Sequence, residues 1–140
     1  MKKKIFAVVD TNVIVSGMIT SNSASSTAKV LDCIGEKSIT PLYCDEILQE
    51  YENVLGREKF NLPKEKIEKI LKMMKSDGIA SNRVPTNEVF TDPNDVVFYE
   101  VALSKEDSFL VTGNIKHFLQ VDLVVTPAEM MEIIKRNLEE

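Results

Sequence analysis

The sequence predicts a three-layer α/β/α domain with a central, mainly parallel sheet. The first observation behind this prediction is an apolar run at residues 5–9 that ends at Asp10. Five apolar residues without polar alternation suit a strand that is covered on both faces. The second observation is that strand-like and helix-like segments alternate along the rest of the chain, which implies right-handed crossovers between parallel strands.

The later strands and helices are predicted from the spacing of their apolar residues and from the residues that begin or end them. The further strands are expected at residues 39–43, 79–84, 109–112 and 123–125. The helices are expected at residues 28–34, 45–55, 63–77, 93–103 and 127–138, with a helical turn at residues 115–119. We find no repeat and no interdomain linker, so residues 1–140 are predicted to form a single domain.

The composition and the length of the apolar runs limit the classes of protein to which the chain can belong. The two cysteines, Cys33 and Cys44, form no CxxC pair and the chain has one histidine, so we expect no zinc site. Lysines 2–4 precede a short apolar stretch without a small-residue cleavage site, which disfavours a signal peptide. No apolar run approaches membrane-spanning length. We therefore expect a cytoplasmic protein without a membrane partner.

Polar residues follow the predicted strands at the edge where ligands bind in open parallel sheets. Asp10 ends the first strand, and Thr112-Gly113-Asn114 ends the strand at residues 109–112 in the same way. A purely structural role is also open at both places. Asp10 would then cap the segment from Val13, and Asn114 would cap the helical turn that follows it.

Two predicted helices add further acids. On the helix at residues 45–55, a rotation of about 100° per residue places Glu50 at the margin of the apolar arc and Glu46 farther into solvent. Glu50 could equally be an ordinary surface acid. On the helix at residues 93–103, Asp92 suits the N-cap and Asp95 the first turn. Because this helix is apolar nearly all round, we expect its start to face an interior cleft.

Carboxylates that converge repel one another, and burying them unpaired is costly. Hard divalent ions such as Mg²⁺ and Mn²⁺ resolve this, and two of them about 3.5 to 4 Å apart can promote phosphodiester hydrolysis. The net charge of −5 disfavours a nucleic-acid partner at first sight. Without the four negative charges of Asp10, Glu50, Asp92 and Asp95 it would be −1, so the global charge decides nothing.

His117 is the single histidine of the chain. A general base needs a positioned partner, and no partner can be identified from the sequence. We therefore expect His117 to be a surface or interface residue.

The ordered segments VVDTNVIVSGMI, YCDEILQEYENVL, TDPNDVVFYEVAL, FLVTGNIKHF and VVTPAEMM resemble a PIN domain over essentially the whole chain. The resemblance is closest to the branch described as toxin components of toxin–antitoxin systems. It implies an α/β/α fold and an Mg²⁺- or Mn²⁺-dependent endoribonuclease that cuts single-stranded RNA. It also suggests a homodimer and a cognate antitoxin protein, by analogy.

Carried over by position, the resemblance makes Asp10, Glu50 and Asp95 the principal metal-binding and catalytic acids. It makes Asn12 and Thr112 accompanying polar residues, while Asp92 and Asn114 would help directly or through water. The chain departs from the family at Asn114, where the usual pattern is Thr-Gly-Asp. The neutral amide can still bind an ion or its water, but the site loses one negative charge.

Two functions from different classes follow. The first is a metal-dependent endoribonuclease, the toxin of a toxin–antitoxin pair. The alternative is a catalytically degenerate PIN domain that binds RNA or a protein partner without cleavage, for which Asn114 is the chief support. An aspartate-nucleophile phosphatase would need a second aspartate two residues after Asp10, where Asn12 stands, so we set it aside.

Overall fold

The computed structural model describes residues 3–90, 92–118 and 121–139. Its centre is a five-stranded parallel sheet in the order β3-β2-β1-β4-β5. The strands are β1 (Phe6–Val9), β2 (Thr40–Tyr43), β3 (Ile79–Ala80), β4 (Phe109–Val111) and β5 (Val124–Val125). The predicted α/β/α architecture is confirmed.

Six helices lie in this part of the chain, and they flank the sheet. They are α1 (Thr11–Ile19), α2 (Ser26–Gly35), α3 (Asp45–Leu55), α4 (Lys64–Asp77), α5 (Pro93–Ala102) and α6 (Pro127–Glu139). Short 3₁₀ turns form at Glu58–Phe60 and Ile115–His117. None of the helices in the described residues is both long enough and apolar enough to cross a membrane.

The middle strand β1 pairs with β2 on one side and with β4 on the other. Its residues Ala7, Val8 and Val9 are buried almost completely, as the unbroken apolar run predicts. The chain reverses its direction across the sheet between β3 and β4, and a right-handed crossover therefore carries α5 to the opposite face. There α5 packs on β1, β2 and β4, while α2 packs on α1 and α6.

Two expected elements differ from the observed ones. The strand at residues 79–84 is only Ile79–Ala80, because the Val84 N–H donates to the Glu100 carbonyl oxygen on α5 (3.0 Å) rather than to a neighbouring strand. The helical turn at residues 115–119 is the 3₁₀ turn Ile115–His117, and position 119 lies outside the described residues.

Candidate metal centre

Asp10 lies at the carboxyl end of β1, at the N-cap position of α1, and is only 5% exposed. Its backbone N–H donates to the Val111 carbonyl oxygen on β4 (2.9 Å), which holds the ends of the two strands together. Its side chain makes no capping hydrogen bond to α1. Asp10 Oδ2 accepts a hydrogen bond from Thr112 Oγ1 (2.8 Å), so the carboxylate has a partner outside α1.

Thr112 is fully buried and also accepts a hydrogen bond from the Asn114 N–H (3.0 Å). Asn114 occupies the N-cap position of the Ile115–His117 turn, but its side chain makes no capping hydrogen bond. The alternative in which Asn114 only caps this turn is right about its position but not about a capping hydrogen bond from its side chain. The turn is closed by its backbone alone, through the His117 N–H and the Asn114 carbonyl oxygen (2.9 Å).

Helix α3 brings Glu50 towards the same edge of the sheet. Glu50 is half-buried and Glu46 is exposed, as the helical rotation predicts. The next residue, Tyr51, is buried and donates its hydroxyl hydrogen bond to the Val9 carbonyl oxygen. Since Val9 precedes Asp10, this bond joins the neighbour of Glu50 to the neighbour of Asp10.

Helix α5 begins at the rim of a cleft that it shares with α3. Asp92 is exposed and caps the helix, accepting a hydrogen bond from the Asn94 N–H (2.9 Å). Asn94 and Glu50 both line the cleft. The expectation that α5 is buried nearly all round is wrong for its first turn, because continuous burial begins only at Phe98.

At this edge, the ionised form of Asp95 is disfavoured both by burial and by the charges of neighbouring acids. Its side chain is 14% exposed, and Oδ2 is buried without a hydrogen-bond partner in the described residues. Burial, followed by the negative charges of Asp10 and Asp92, raises the pKa of Asp95 to about 6; Glu50 adds a smaller effect in the same direction. Three acids, Asp10, Glu50 and Asp92, therefore act on Asp95 through their charges.

The pKa of Asp10 is also raised, because burial disfavours its charged form. The hydrogen bond from Thr112 and the backbone N–H groups of Thr11 and Asn12 act in the opposite direction and favour the carboxylate. The Asn12 side chain is exposed.

The chemistry of these residues suits a hard divalent cation. Mg²⁺ and Mn²⁺ prefer carboxylate oxygens, and a buried oxygen without a partner, such as Asp95 Oδ2, is costly unless a charge compensates it. Within residues 3–90, 92–118 and 121–139, no three Cys, His, Asp or Glu side chains are close enough together to hold an ion. The case for a metal ion here therefore rests on Asp95 Oδ2, which has no hydrogen-bond partner in the described part of the chain, and on the acids whose charges act on Asp95.

A family model of the PIN domain matches residues 7–116, which is well over half of the chain. The chain belongs to the PIN-domain family. PIN domains are generally nucleases that act on RNA, and they typically use divalent metals. No curated protein matches the chain. The matched region includes Asp10, Glu50, Asp95 and Asn114 and ends one residue before His117.

His117 lies at the surface of this PIN domain, as expected, but it has a neighbour that the sequence did not reveal. The side chain is 55% exposed, but its Nδ1 lies 3.8 Å from Asp95 Oδ2, so a partner is present. Its charge also acts on Asp10. The sequence could not reveal this pair, because 21 residues separate Asp95 from His117 and no helical or strand spacing connects them.

A second group that sequence analysis missed joins the helices that carry Glu50 and Asp95. Glu100 on α5 is 7% exposed, and its Oε1 accepts a hydrogen bond from Arg83 Nε (2.7 Å) and forms a salt bridge with Arg83 Nη2 (2.7 Å). Arg83 Nη1 also donates to Glu46 Oε2 on α3 (2.8 Å). The available signal was a glutamate within the apolar segment Val-Phe-Tyr-Glu-Val-Ala, because buried acids are almost always paired.

Proposed function

We propose that this PIN domain is a metal-dependent endoribonuclease that cleaves single-stranded RNA and is the toxin component of a toxin–antitoxin pair. The observation that carries the proposal is Asp95: its buried Oδ2 has no hydrogen-bond partner among the described residues, and burial and the charges of Asp10 and Asp92 raise the pKa of the residue. Such a group is costly in a protein that makes no use of it.

Asp10, Glu50 and Asp95 would hold Mg²⁺ or Mn²⁺, with Asp92 and Asn114 assisting directly or through water. When bound, such an ion lowers the pKa of water and offsets the charge that develops on the phosphate. Hydrolysis forms a bond between a water oxygen and the phosphorus, breaks the bond from phosphorus to the leaving oxygen, and transfers a proton to that oxygen.

The remaining roles belong to residues that hold the acids in place. Thr112 would keep Asp10 oriented, because its hydroxyl donates to Asp10 Oδ2 while it accepts from the Asn114 N–H. Tyr51 would hold α3 against the end of β1, and burial raises its pKa well above the usual range, so it stays a neutral donor. Asn12, which is exposed beside Asp10, would contact the substrate or the water around the ion.

A groove between α1, α2 and α4 supports the antitoxin part of the proposal. Apolar side chains such as Met18, Leu31 and Met73 line it, together with Lys66, Lys69 and one acid, Asp32. An amphipathic, acidic segment of an antitoxin would bury apolar area there and pair with the lysines. We further propose, from the family resemblance, that residues 1–140 act as one domain, in the cytoplasm and as a homodimer.

A catalytically degenerate PIN domain that binds RNA or a protein partner without cleavage is the second candidate. Asn114 favours it, because a neutral amide stands where the family usually has a carboxylate. RNA binding through lysines and arginines would weaken as salt rises, with a slope that reflects the number of phosphates engaged. RNA binding that salt does not affect, or no RNA binding, would instead favour a protein partner.

An assay with end-labelled single-stranded RNA separates the two candidates. We expect cleavage by the wild type with Mg²⁺ or Mn²⁺, and reversible inhibition by EDTA. Asp10→Asn should abolish cleavage, because it removes a charge with almost no change of shape. Asp122→Asn is the matched control, since Asp122 is an exposed aspartate just before β5, at the opposite end of the strands.

Cleavage that persists in Asp10→Asn or in EDTA would contradict the metal-dependent mechanism. RNA binding without cleavage in either metal would favour the degenerate domain.

A further inference from the structure

The cleft between α3 and α5 has carboxamide side chains on both of its walls. On α3, Gln49 and Asn53 are four residues apart and therefore lie on one face of the helix. Asn94, in the first turn of α5, lines the other wall. All three side chains are exposed, and their amides make no hydrogen bond within the described residues. They are therefore free to bind a ligand.

Apolar side chains line the base of the same cleft. Ile47 and Phe98 are almost completely buried, and Val97 is half-buried. The cleft has a volume of about 230 Å³. Sites for drug-sized ligands are usually larger, at about 300 to 1,000 Å³. The space therefore suits one flat ring system with apolar faces and polar edges.

Contacts between the helices hold the two walls in position. The rings of Tyr51 on α3 and Phe98 on α5 pack with their centroids 6.2 Å apart. Arg83 connects Glu46 of α3 to Glu100 of α5. Because neither contact needs a ligand, the cleft is formed before a ligand binds, which lowers the entropic cost of binding.

The charges in the cleft favour a group that donates hydrogen bonds. In the described part of the chain, the charged residues that line the cleft are Glu46 and Glu50, and both are negative. Arg83 binds Glu46 through Oε2 (2.8 Å), which leaves Oε1 as an acceptor. Carboxylates only accept hydrogen bonds, so they repel phosphate oxygens and suit an exocyclic amine such as that of adenine or cytosine. Uracil presents a carbonyl oxygen in place of this amine.

We propose that this cleft binds one unpaired nucleobase of the RNA and selects a base with an exocyclic amine over uracil. Single-stranded RNA exposes the faces and edges of its bases, and Asn or Gln amides bind adenine through two hydrogen bonds. Glu50 belongs both to this cleft and to the candidate metal centre, so the base would come from a nucleotide beside the cleaved bond. The inference rests on the proposed function only in taking single-stranded RNA as the substrate, and it requires no bound ion.

Fluorescence anisotropy with short labelled oligouridines tests the base preference. The central base of the strand is uracil, adenine, cytosine or purine, which is adenine without its amine. EDTA is present, so that no ion takes part and no strand is cut by a metal-dependent reaction. We expect the adenine and cytosine strands to bind about fivefold more tightly than the uracil and purine strands.

Two variants assign the preference to the cleft. Asn53→Ala and Asn94→Ala should each reduce the preference to less than about twofold, since each removes an amide from one wall. Asn87→Ala is the matched control and should keep the preference, because Asn87 is an exposed amide in the segment before α5 that does not line the cleft.

Equal binding of the four strands, a preference that both variants retain, or no binding of any strand would overturn the inference. The cleavage assay tests the proposed function separately. Metal-dependent cleavage without a base preference in binding would leave the proposed function standing and this inference wrong. If the wild type neither binds nor cleaves RNA, both are overturned.

Discussion

Asp95 is the residue on which the account of the site depends most heavily. Its side chain combines partial burial, a buried oxygen without a hydrogen-bond partner in the described residues, and neighbouring negative charges. Each of these disfavours the ionised form, and only His117 acts in the opposite direction among the groups that influence it most. A carboxylate in this setting lowers the stability of the protein until a cation compensates it.

Replacing Asp95 by asparagine should therefore stabilise the protein in the presence of a chelator. The native state holds the Asp95 proton more tightly than the unfolded chain, because its pKa is about 6 rather than 3.8. The stability of the wild type should thus fall as pH rises from about 4 to about 6, since the unfolded chain releases the proton first. Asp95→Asn cannot ionise and should lack this fall.

Urea unfolding in EDTA at pH 4 and pH 7 measures the effect. We expect equal stability at pH 4 and a gain of about 1 to 2 kcal/mol for Asp95→Asn at pH 7, reduced from the full shift because the site is partly solvated. If the stabilities of the wild type and Asp95→Asn change in parallel over this pH range, ionisation of Asp95 does not destabilise the native state. Mn²⁺ should stabilise the wild type more than the variant.

Asn114 allows the opposite kind of test. Asn114→Asp restores a carboxylate beside the site with almost no change of shape, so it should tighten divalent-ion binding and raise any RNase activity. Stability should change little, because the Asn114 side chain makes no capping hydrogen bond. Calorimetry with Mg²⁺ and the single-stranded RNA assay measure both effects. Equal affinity and equal rate in the two proteins would remove Asn114 as a reason for impaired catalysis.

Among the elements, α3 and α5 are linked by a charged group that lies outside the sheet. Arg83 connects Glu46 of α3 to Glu100 of α5, and the Thr86 N–H donates to Glu100 Oε2 (2.9 Å). Both oxygens of the buried Glu100 carboxylate are thus satisfied by residues 83–86. This segment therefore holds in place the two helices that carry Glu50 and Asp95.

Arg83→Met should destabilise the protein by about 2 to 3 kcal/mol, because it leaves the buried Glu100 carboxylate without its cation. Lys64→Met is the matched control: Lys64 pairs with Glu68 at 4.0 Å on the exposed face of α4, and its loss should cost less than about 0.5 kcal/mol. Equilibrium unfolding measures both. In the Arg83→Met background, Glu100→Gln should recover part of the loss, and a further loss instead would contradict this assignment.

Local pattern predicted most elements, and the exceptions have physical reasons. The spacing of apolar residues predicts the bounds of α3 and α4 to within one residue. For α4, Pro63 and Gly78 also mark the two ends. The segment after Asp10 has no such signal. Val13, Ile14 and Val15 are β-branched residues typical of strands, yet they lie in α1, where tertiary packing buries all three.

The sequence allows a candidate site residue to be predicted where it follows a strand or begins a helix. Asp10, Asp92 and Asp95 were singled out because strands and helices end or begin beside them. The pairs Arg83–Glu100 and Asp95–His117 were not, because each joins segments whose approach depends on the order of strands in the sheet. A single sequence carries no local signal for that order.

For the whole molecule, the strand order explains why polar residues from several elements lie at one edge of the sheet. With β1 between β2 and β4, the loop after β4 lies beside Asp10, and the crossover between β3 and β4 places α5 over the same three strands. The carboxyl edge of the sheet thus gathers polar groups from β1, β4, α3 and α5. We expect this edge, rather than the lysine-rich face of α4, to hold the ion.

Anomalous diffraction from crystals soaked in Mn²⁺ locates the ion. We expect a manganese peak at the carboxyl edge of the sheet, about 2 to 2.5 Å from carboxylate oxygens of Asp10 and Asp95. Crystals of Asp10→Asn soaked in the same way should lose or greatly weaken this peak. A well-diffracting wild-type crystal with no peak at this edge, or with its strongest peak on other residues, would contradict the account.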